Sequence, residues 1–234
     1  RGVLGHEFVG VALEGPYAGR RVVGEINAAC GACPACDAEN DRHCPHRTVL
    51  GILGRPGAFA EELRLPQRNL LPVPDGVSTS SAVFAEPLAA AFAIGEQIEL
   101  TPGARAVVAG DGRLGLLCAH VLALAGLDVV VAGRHPEHAR LLPAGVRHVT
   151  GLLEGTPAGR AADGRAYDLA VEATRDPAVL GRLLPLVRPR GTCVLKTTSE
   201  RAAPLDLSGL VVDEIRLVGS RCGRFGPARA ALEE

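Results

Sequence analysis

The sequence predicts an α/β fold in which a β-rich part precedes a doubly wound parallel sheet of six strands. Over residues 1–76, short apolar runs are broken by Gly, Pro and polar clusters, which is typical of antiparallel strands joined by turns. From residue 104, continuous apolar segments alternate with helical patterns, which is typical of parallel βαβ units covered on both faces. Apolar residues at helical spacing over 78–97 predict a helix that connects the two parts.

The second part contains six strand candidates that share a continuous apolar character: ARAVVAG, LDVVVAG, RHVT, YDLAVEA, GTCVLKT and IRLVGS. Four segments with helical character lie between them: LGLLCAHVLALAG, HPEHARLL, PAVLGRLLPLV and a Leu/Asp-rich run. We therefore expect two domains. The first covers residues 1–97 and includes the connecting helix, and the second covers residues 98–234.

Composition excludes several classes of function. An apolar share of 47% supports a packed core and argues against a disordered segment. The net charge of −1, the 3% of aromatic residues and the lack of Trp argue against nucleic-acid binding. The longest apolar region, residues 114–132, is interrupted by His120 and Asp128, so we expect no membrane span.

The chain contains no Met and starts at Arg1 inside an apolar run, so we expect a fragment cut at both ends. There is no charged-then-apolar signal segment, and four of the seven cysteines are tightly clustered. We therefore expect a reducing, cytoplasmic setting. Cys118, Cys193 and Cys222 are expected to serve as small apolar residues.

The clustered cysteines are Cys30, Cys33, Cys36 and Cys44, in the spacing C-x2-C-x2-C-x7-C. Four thiolates so spaced can enclose one tetrahedral Zn²⁺, which predicts a closed structural zinc site in a lobe at about residues 30–44. An iron–sulfur cluster is the main alternative because Pro45 follows the last cysteine, but the seven-residue gap departs from the ferredoxin run. Disulfide pairing is the other alternative, and C-x2-C loops are tight for it. Zinc is the preferred interpretation.

The first strand of the second part runs directly into GDGRLG, and a helix follows at once. In this context Gly110 would form the tight turn, Gly112 would let the backbone approach a pyrophosphate, and Gly115 would let the helix pack on the strand. With Arg113 and Leu114, they would bind the pyrophosphate at the helix N-terminus. The alternative is a structural turn without a nucleotide.

The end of the second of these strands indicates which nucleotide is bound. NAD-binding units usually carry Asp or Glu there, to bind the ribose 2′-hydroxyl. This chain has Gly133, Arg134 and His135 instead. An Arg without a carboxylate suits a 2′-phosphate, so the sequence favours NADP. The alternative is that Arg134 is merely solvated and that either NADP or NAD binds.

Taken in order, these motifs resemble the zinc-containing medium-chain alcohol/polyol dehydrogenases. The resemblance covers nearly the whole chain. It rests on the following set: GHEFVG, the four-cysteine lobe, GAFAE, EPLA, GDGRLG, VEAT and GSRCG. The ordered set is far more specific than any one member.

The resemblance implies a partial GroES-like domain holding a catalytic zinc, followed by a Rossmann domain holding NADP or NAD, with the active site in the cleft between them. His6 of GHEFVG matches a ligand of the catalytic zinc, and Glu7 is its neighbouring carboxylate. Glu86 of EPLA matches a third ligand or a carboxylate close to the metal, as in polyol, sugar and threonine dehydrogenases. Thr174 of VEAT is expected to bind the cofactor.

The sequence departs from the family pattern in two places. The catalytic cysteine ligand precedes GHE in the family, and this chain begins too late to contain it. The segment that returns to the catalytic domain after the sixth strand is also missing. We therefore expect the fragment to be inactive, and the full-length protein to be a homodimer or homotetramer that oxidises a secondary alcohol, polyol or sugar. A zinc-free quinone or enoyl reductase and a non-catalytic nucleotide sensor are the alternatives.

Overall fold

The computed structural model describes residues 2–38, 40–154, 166–203 and 205–233, which include every predicted site residue. The chain divides into two compact units. One contains Arg1–Ala90 with Cys222–Glu234, and the other contains Ala91–Arg221. The predicted domain boundary after residue 97 stays a prediction.

The first unit contains two small sheets of three strands each. Their strands are β1 (Gly10–Val11), β2 (Arg21–Gly24), β3 (Asn27–Ala28), β4 (Thr48–Leu50), β5 (Gly54–Arg55) and β6 (Leu70–Pro72). The order β1-β2-β6 is antiparallel throughout, as the turn-rich sequence predicts. In the order β3-β4-β5 the first pair is antiparallel and the second is parallel. Gly51, after β4, and Gly54, at the start of β5, both take a positive φ.

Four α-helices begin in this unit: α1 (Pro34–Asp37), α2 (Thr79–Ala82), α3 (Ala85–Gln97) and, near the C-terminus, the helix Phe225–Ala231. The predicted helical stretch over 78–97 therefore forms two helices. Ser78 begins the first of them, because its hydroxyl accepts a hydrogen bond from the backbone N–H of Ser81 at 3.0 Å. Helix α3 contributes residues to both units. Short 3₁₀ helices lie at Gly15–Tyr17, Asp41–His43 and Gln67–Asn69.

The second unit contains one parallel sheet made of all six predicted strands. They are β7 (Arg105–Ala109), β8 (Asp128–Gly133), β9 (Arg147–Thr150), β10 (Tyr167–Glu172), β11 (Val187–Leu195) and β12 (Arg216–Gly219). The order is β12-β11-β10-β7-β8-β9. The strand order reverses beside β7, whose neighbours are β8 on one side and β10 on the other. In doubly wound sheets, ligands bind outside the carboxyl ends of the strands at such a reversal.

The helices of this unit are α4 (Arg113–Leu124), α5 (Leu180–Leu183) and α6 (Leu207–Val212), with 3₁₀ helices at Pro136–Leu141, Pro177–Val179 and Leu184–Leu186. Helix α4 is rich in strong helix formers and ends before Gly126, which takes a positive φ of 82°. The predicted helical segment HPEHARLL is 3₁₀ and not α-helical. It is a single short stretch that starts at Pro136 and is followed by Pro143.

The apolar strands form the core of the second unit, as expected for a parallel sheet covered on both faces. Its fully buried members include Val107, Ala109, Ala170, Val187 and Cys193. Cys118 and Cys193 are both inaccessible to solvent, and burial raises the pKa of each thiol to about 12. Both therefore behave as small apolar residues, as predicted. In the described part of the chain, no helix has the length and hydropathy needed to span a bilayer.

Candidate functional site

The backbone just before His6 is fixed by the segment GAFAE. The N–H groups of residues 57, 58 and 59 donate to the carbonyl oxygens of residues 3, 5 and 4 at 2.7, 2.8 and 2.9 Å, respectively. A Cβ atom on Gly57 would lie 2.4 Å from the carbonyl oxygen of Gly5. Glycine at position 57 is therefore what allows the two segments to approach this closely.

His6, Glu7 and Glu86 come together in the first unit, although Glu86 is remote from the other two in the sequence. One ligand-type atom from each residue lies within 4.8 Å of the others. Glu86 is the second residue of α3, while His6 and Glu7 lie in the extended segment before β1. His6 and Glu86 are half-buried and Glu7 is exposed. An imidazole nitrogen with carboxylate oxygens is a donor set that zinc accepts.

The four predicted cysteine ligands also converge. The Sγ atom of Cys33 lies 3.5 Å from that of Cys36 and 3.7 Å from that of Cys44. The Sγ atoms of Cys30 and Cys36 are 3.9 Å apart. Four thiolates at about 2.3 Å from a tetrahedral zinc would be about 3.8 Å from each other, so these separations fit a closed zinc site. All seven cysteines of the chain are free of disulfide bonds.

Backbone N–H groups around the lobe donate hydrogen bonds to cysteine sulfurs, which favours the thiolate over the thiol. The N–H of Cys30 approaches the Sγ atom of Cys44 at 3.5 Å, and that of Gly31 approaches Cys36 Sγ at 3.3 Å. The hydrogen bond from Cys30 is the main cause that lowers the pKa of Cys44 to about 6, against the effect of burial. A backbone N–H at Cys36 acts in the same direction on Cys33. However, burial and hydrogen bonds to the neighbouring sulfurs outweigh it and raise the pKa of Cys33 to about 11.

The glycine loop, GDGRLG at residues 110–115, lies at the carboxyl end of β7, beside the reversal of strand order. Gly110 takes a positive φ of 109°, and its N–H donates to the carbonyl of Ala132 on β8 at 2.8 Å. Gly112 is the N-cap residue of α4, and Arg113 begins the helix. The first turn of α4 therefore starts within the GDGRLG motif, with its unpaired N–H groups at this edge of the sheet.

Thr174, which the family resemblance suggests as a cofactor-binding residue, lies against this loop. A Cβ on Gly110 would be 3.3 Å from Thr174 Cγ2. Glu172, at the end of β10 and only 2% exposed, holds the segment in place. Its Oε1 accepts hydrogen bonds from the N–H of Thr174 at 2.7 Å, the hydroxyl of Thr174 at 2.6 Å and the hydroxyl of Thr197 at 2.9 Å.

Gly133 is the last residue of β8, and exposed Arg134 follows it. The carboxylate of Asp111, the second residue of GDGRLG, lies at the same place. Asp111 accepts hydrogen bonds from the N–H of His135 at 2.7 Å, from His135 Nδ1 at 3.0 Å and from His148 Nε2 at 3.1 Å. Burial alone would raise the pKa of Asp111, but these hydrogen bonds hold it well below its usual value.

Three comparisons with known proteins agree on the family. The family model described as the alcohol dehydrogenase GroES-like domain matches residues 2–75. An L-threonine 3-dehydrogenase of Chelativorans sp. (strain BNC1) is 37% identical over 161 residues, covering 65% of this chain and 46% of that protein. A sorbitol dehydrogenase of Halalkalibacterium halodurans is 28% identical over 248 residues, covering 99% of this chain and 72% of that protein.

Among solved structures, alcohol dehydrogenase TADH from Thermus sp. ATN1 matches with a TM-score of 0.86 at 28% identity, covering 99% of this chain and 73% of that chain. A structure from Sinorhizobium meliloti 1021, described as a zinc-binding dehydrogenase bound to NADP, matches in fold with a TM-score of 0.86. It is 24% identical, and the match covers 99% of this chain and 72% of that chain. Residues 2–75 match the alcohol dehydrogenase GroES-like domain, and the chain as a whole is similar to zinc-containing medium-chain dehydrogenases/reductases.

The chain spans only part of the length of the relatives it matches. It covers 46% and 44% of two of the threonine dehydrogenases it matches. What the full-length protein does is therefore a matter of inference. The first unit contains the predicted zinc ligands in two groups, the four cysteines and the set of His6, Glu7 and Glu86, and the predicted cofactor residues lie in the second unit. The roles of these residues stay predictions.

Sequence analysis missed four polar residues of the second unit: Asp111, His135, His138 and His148. Asp111 lies in GDGRLG, which was interpreted through its glycines, and His135 follows Arg134, which was interpreted through its charge. His138 lies at the same place, and its Nδ1 donates a hydrogen bond to the carbonyl oxygen of Asp111 at 2.8 Å. A signal was available, because His135, His138 and His148 are three of seven histidines and fall within one short stretch.

Proposed function

We propose that this chain is part of a zinc-dependent dehydrogenase that transfers a hydride between NAD(P) and a secondary alcohol, polyol or sugar. The observation that carries the proposal is the convergence of His6, Glu7 and Glu86 within 4.8 Å. Relatives named for threonine, sorbitol and 2-dehydro-3-deoxy-L-galactonate support the substrate class, since each name denotes a hydroxylated small molecule.

His6 would bind the zinc through a ring nitrogen, and Glu86 through a carboxylate oxygen or from beside the metal. A zinc ion in this site supplies Lewis-acid chemistry on a substrate oxygen. Glu7 and Glu86 place negative charge beside the site, which tunes the proton affinity of groups that bind there. The four-cysteine lobe is closed by its own ligands, so its role is to stabilise the first unit.

The glycine loop would bind the cofactor pyrophosphate through the N–H groups at the start of α4. Arg134 carries the charge that suits a 2′-phosphate, and its exposure leaves the guanidinium accessible. Thr174 lies close enough to Gly110 to contact the same ligand. The nicotinamide carries the hydride, while the protein supplies binding, orientation and electrostatics.

Two other functions are less well supported. A zinc-free quinone or enoyl reductase has no use for either zinc donor set, and this chain has both. A nucleotide-dependent sensor would bind the cofactor without turnover, so steady-state kinetics separates it from an enzyme. On the family resemblance we also infer a cytoplasmic homodimer or homotetramer.

The test compares His6→Ala with His43→Ala in the full-length protein. His43 is an exposed histidine of the cysteine lobe that is neither one of the four cysteines nor part of the proposed catalytic set. His6→Ala should lower the zinc content from two equivalents to one and abolish turnover on secondary alcohols and polyols, while NADPH still binds. His43→Ala should leave all three readouts near wild type. A His6→Ala enzyme that keeps two zincs and a near-normal rate would overturn the proposal.

Glu86→Gln provides a second arm of the same experiment. It keeps the shape of the side chain and removes its charge, so zinc content should fall little while kcat falls strongly. If the wild-type protein binds two zincs and NADPH but turns over no member of a panel of alcohols, polyols and sugars, the sensor interpretation replaces the enzyme.

A further inference from the structure

The carboxylate of Asp111 fills the space in which a side chain on Gly133 would begin. A Cβ built on Gly133 would lie 2.3 Å from Asp111 Oδ2 and 2.4 Å from Asp111 Cβ. Contacts this short do not occur between real atoms, so one of the two residues must move or change. The backbone of Gly133 is not in the left-handed region, so the glycine is explained by this contact and not by its φ angle.

This position at the end of β8 is where dinucleotide-binding units usually place the Asp or Glu that binds the ribose 2′-hydroxyl. In this chain a carboxylate does reach that place, but it comes from the glycine loop. This carboxylate is already hydrogen-bonded to other residues of the protein. Both oxygens of Asp111 accept hydrogen bonds from His135 or His148, and the residue is only 5% exposed. A second carboxylate at position 133 would meet both a steric clash and a like charge.

The same hydrogen bonds fix the turn that carries Arg134. The backbone N–H of His135, the next residue, donates to Asp111 Oδ2, and its Nδ1 lies 3.0 Å from Oδ1. His138, in the following 3₁₀ helix, pairs with the backbone carbonyl of Asp111. His148 on β9 contacts the carboxylate from the neighbouring strand. Three histidines on the C-terminal side of Arg134 are thus hydrogen-bonded to Asp111 of the glycine loop.

We propose that Asp111 excludes a ribose-binding carboxylate from the end of β8 and positions Arg134, so that the site is committed to a cofactor with a 2′-phosphate. The inference rests on the proposed function, because it requires a nicotinamide dinucleotide on the glycine loop. Asp111 acts here as a positioning residue. A side chain at the end of the second strand of such a sheet usually determines the preference between NAD and NADP. Here that preference is determined by Asp111, in the loop after the first strand, β7.

The test is a double-mutant cycle of Asp111→Ala and Gly133→Asp in the full-length enzyme, followed by Tm and by kcat and KM for both cofactors. Gly133→Asp alone should lower the Tm, because the new side chain meets the Asp111 carboxylate. Asp111→Ala alone should raise the KM for NADP about tenfold with little change in kcat, since the turn is no longer held. The double variant should have a higher Tm than Gly133→Asp, although below that of the wild type because the hydrogen bonds of Asp111 are lost. It should also prefer NAD, because its carboxylate now lies at the end of the strand.

Asp206→Ala is the matched control, since Asp206 also accepts local hydrogen bonds, from Ser208 and Gly209, elsewhere in the same unit. It should leave the ratio of KM values for NADP and NAD unchanged. Asp111→Asn keeps the volume of the side chain, so Asp111→Asn with Gly133→Asp should be no more stable than Gly133→Asp alone.

Three results would overturn the inference: an unchanged KM ratio in Asp111→Ala, a double variant no more stable than Gly133→Asp, or a wild-type enzyme that prefers NAD. Each of these leaves the proposed dehydrogenase function intact. If the wild-type protein binds neither NADP nor NAD, both the inference and the proposed function fail, so the two kinds of failure are distinguishable.

Discussion

A Cβ atom on Gly115 would lie 2.0 Å from the carbonyl oxygen of Gly110, so helix α4 can pack against the glycine loop only with glycine at that position. Gly112 lies between them in the sequence and differs from both. A Cβ on Gly112 meets no atom of the described chain within 4 Å, and its φ of −75° and ψ of 176° suit any residue. Packing therefore explains why residue 115 is glycine. At residue 112, a glycine is explained by a ligand that approaches the backbone.

These two glycines should separate stability from binding. Gly115→Ala should destabilise the second unit by about 1–3 kcal/mol, because the added methyl group overpacks the helix against the loop. Gly112→Ser should leave the Tm nearly unchanged, since Ser is a good N-cap residue. It should nevertheless weaken NADPH binding at least tenfold by filling the space a pyrophosphate would use. Thermal unfolding and a fluorescence titration with NADPH measure both. A Gly112→Ser protein that binds NADPH like the wild type would count against the nucleotide site.

The cysteine lobe should bind one zinc ion. Cys33→Ser replaces a thiolate whose sulfur is close to those of Cys36 and Cys44, and a hydroxyl is a poor substitute ligand. We expect the loss of about one zinc equivalent and a lower Tm for the first unit. Cys222→Ser, outside the lobe, is the control and should keep its zinc. Elemental analysis of both variants decides the matter, and undiminished zinc in Cys33→Ser would show that the lobe holds none.

The parallel sheet could be predicted from the sequence because its signal is local. All of its strands except β9 contain an apolar run, and the helical pattern of α4 begins within the glycine loop. The loop itself was recognisable because strand, turn and helix occur in order. In contrast, the segment that starts at Pro136 has too few residues for its pattern to distinguish an α-helix from the 3₁₀ helix that forms.

The Asp111 cluster could not be predicted in this way, because its contacts are made across the sheet. Asp111 meets His135 and His148 from positions 24 and 37 residues away. The Asp111 carboxylate occupies the space that a side chain at Gly133 would need, and a sequence pattern does not show that these two residues meet. The grouping of His6 with Glu86 is likewise non-local, and only the resemblance to a family related these two residues before the structure did.

Cofactor preference should depend on the charge of Arg134. Arg134→Asp removes a partner for a 2′-phosphate and adds a repelling charge, so the ratio of kcat/KM for NADP to that for NAD should fall several-fold or more. Arg140→Asp makes the same change of charge at an exposed arginine of the following 3₁₀ helix and serves as the control. Steady-state kinetics with both cofactors in the full-length enzyme measures the ratios. Equal ratios in the two variants would mean that Arg134 does not bind the 2′-phosphate.

The last prediction concerns acid stability and follows from the depressed pKa of Asp111. Because the hydrogen bonds from His135 and His148 hold the folded-state pKa below the ordinary value of about 3.9, the ionised form stabilises the folded state. This stabilisation is fully present above about pH 5 and is lost as the pH falls through about 4 toward the folded-state pKa. Asp111→Asn should therefore lower the free energy of unfolding by about 1.5–3 kcal/mol at pH 6, and the difference from wild type should shrink below pH 4. Urea unfolding followed by circular dichroism at pH 6, 5, 4 and 3.5 measures it. A difference that stays constant over this range would mean that the charge of Asp111 does not stabilise the fold.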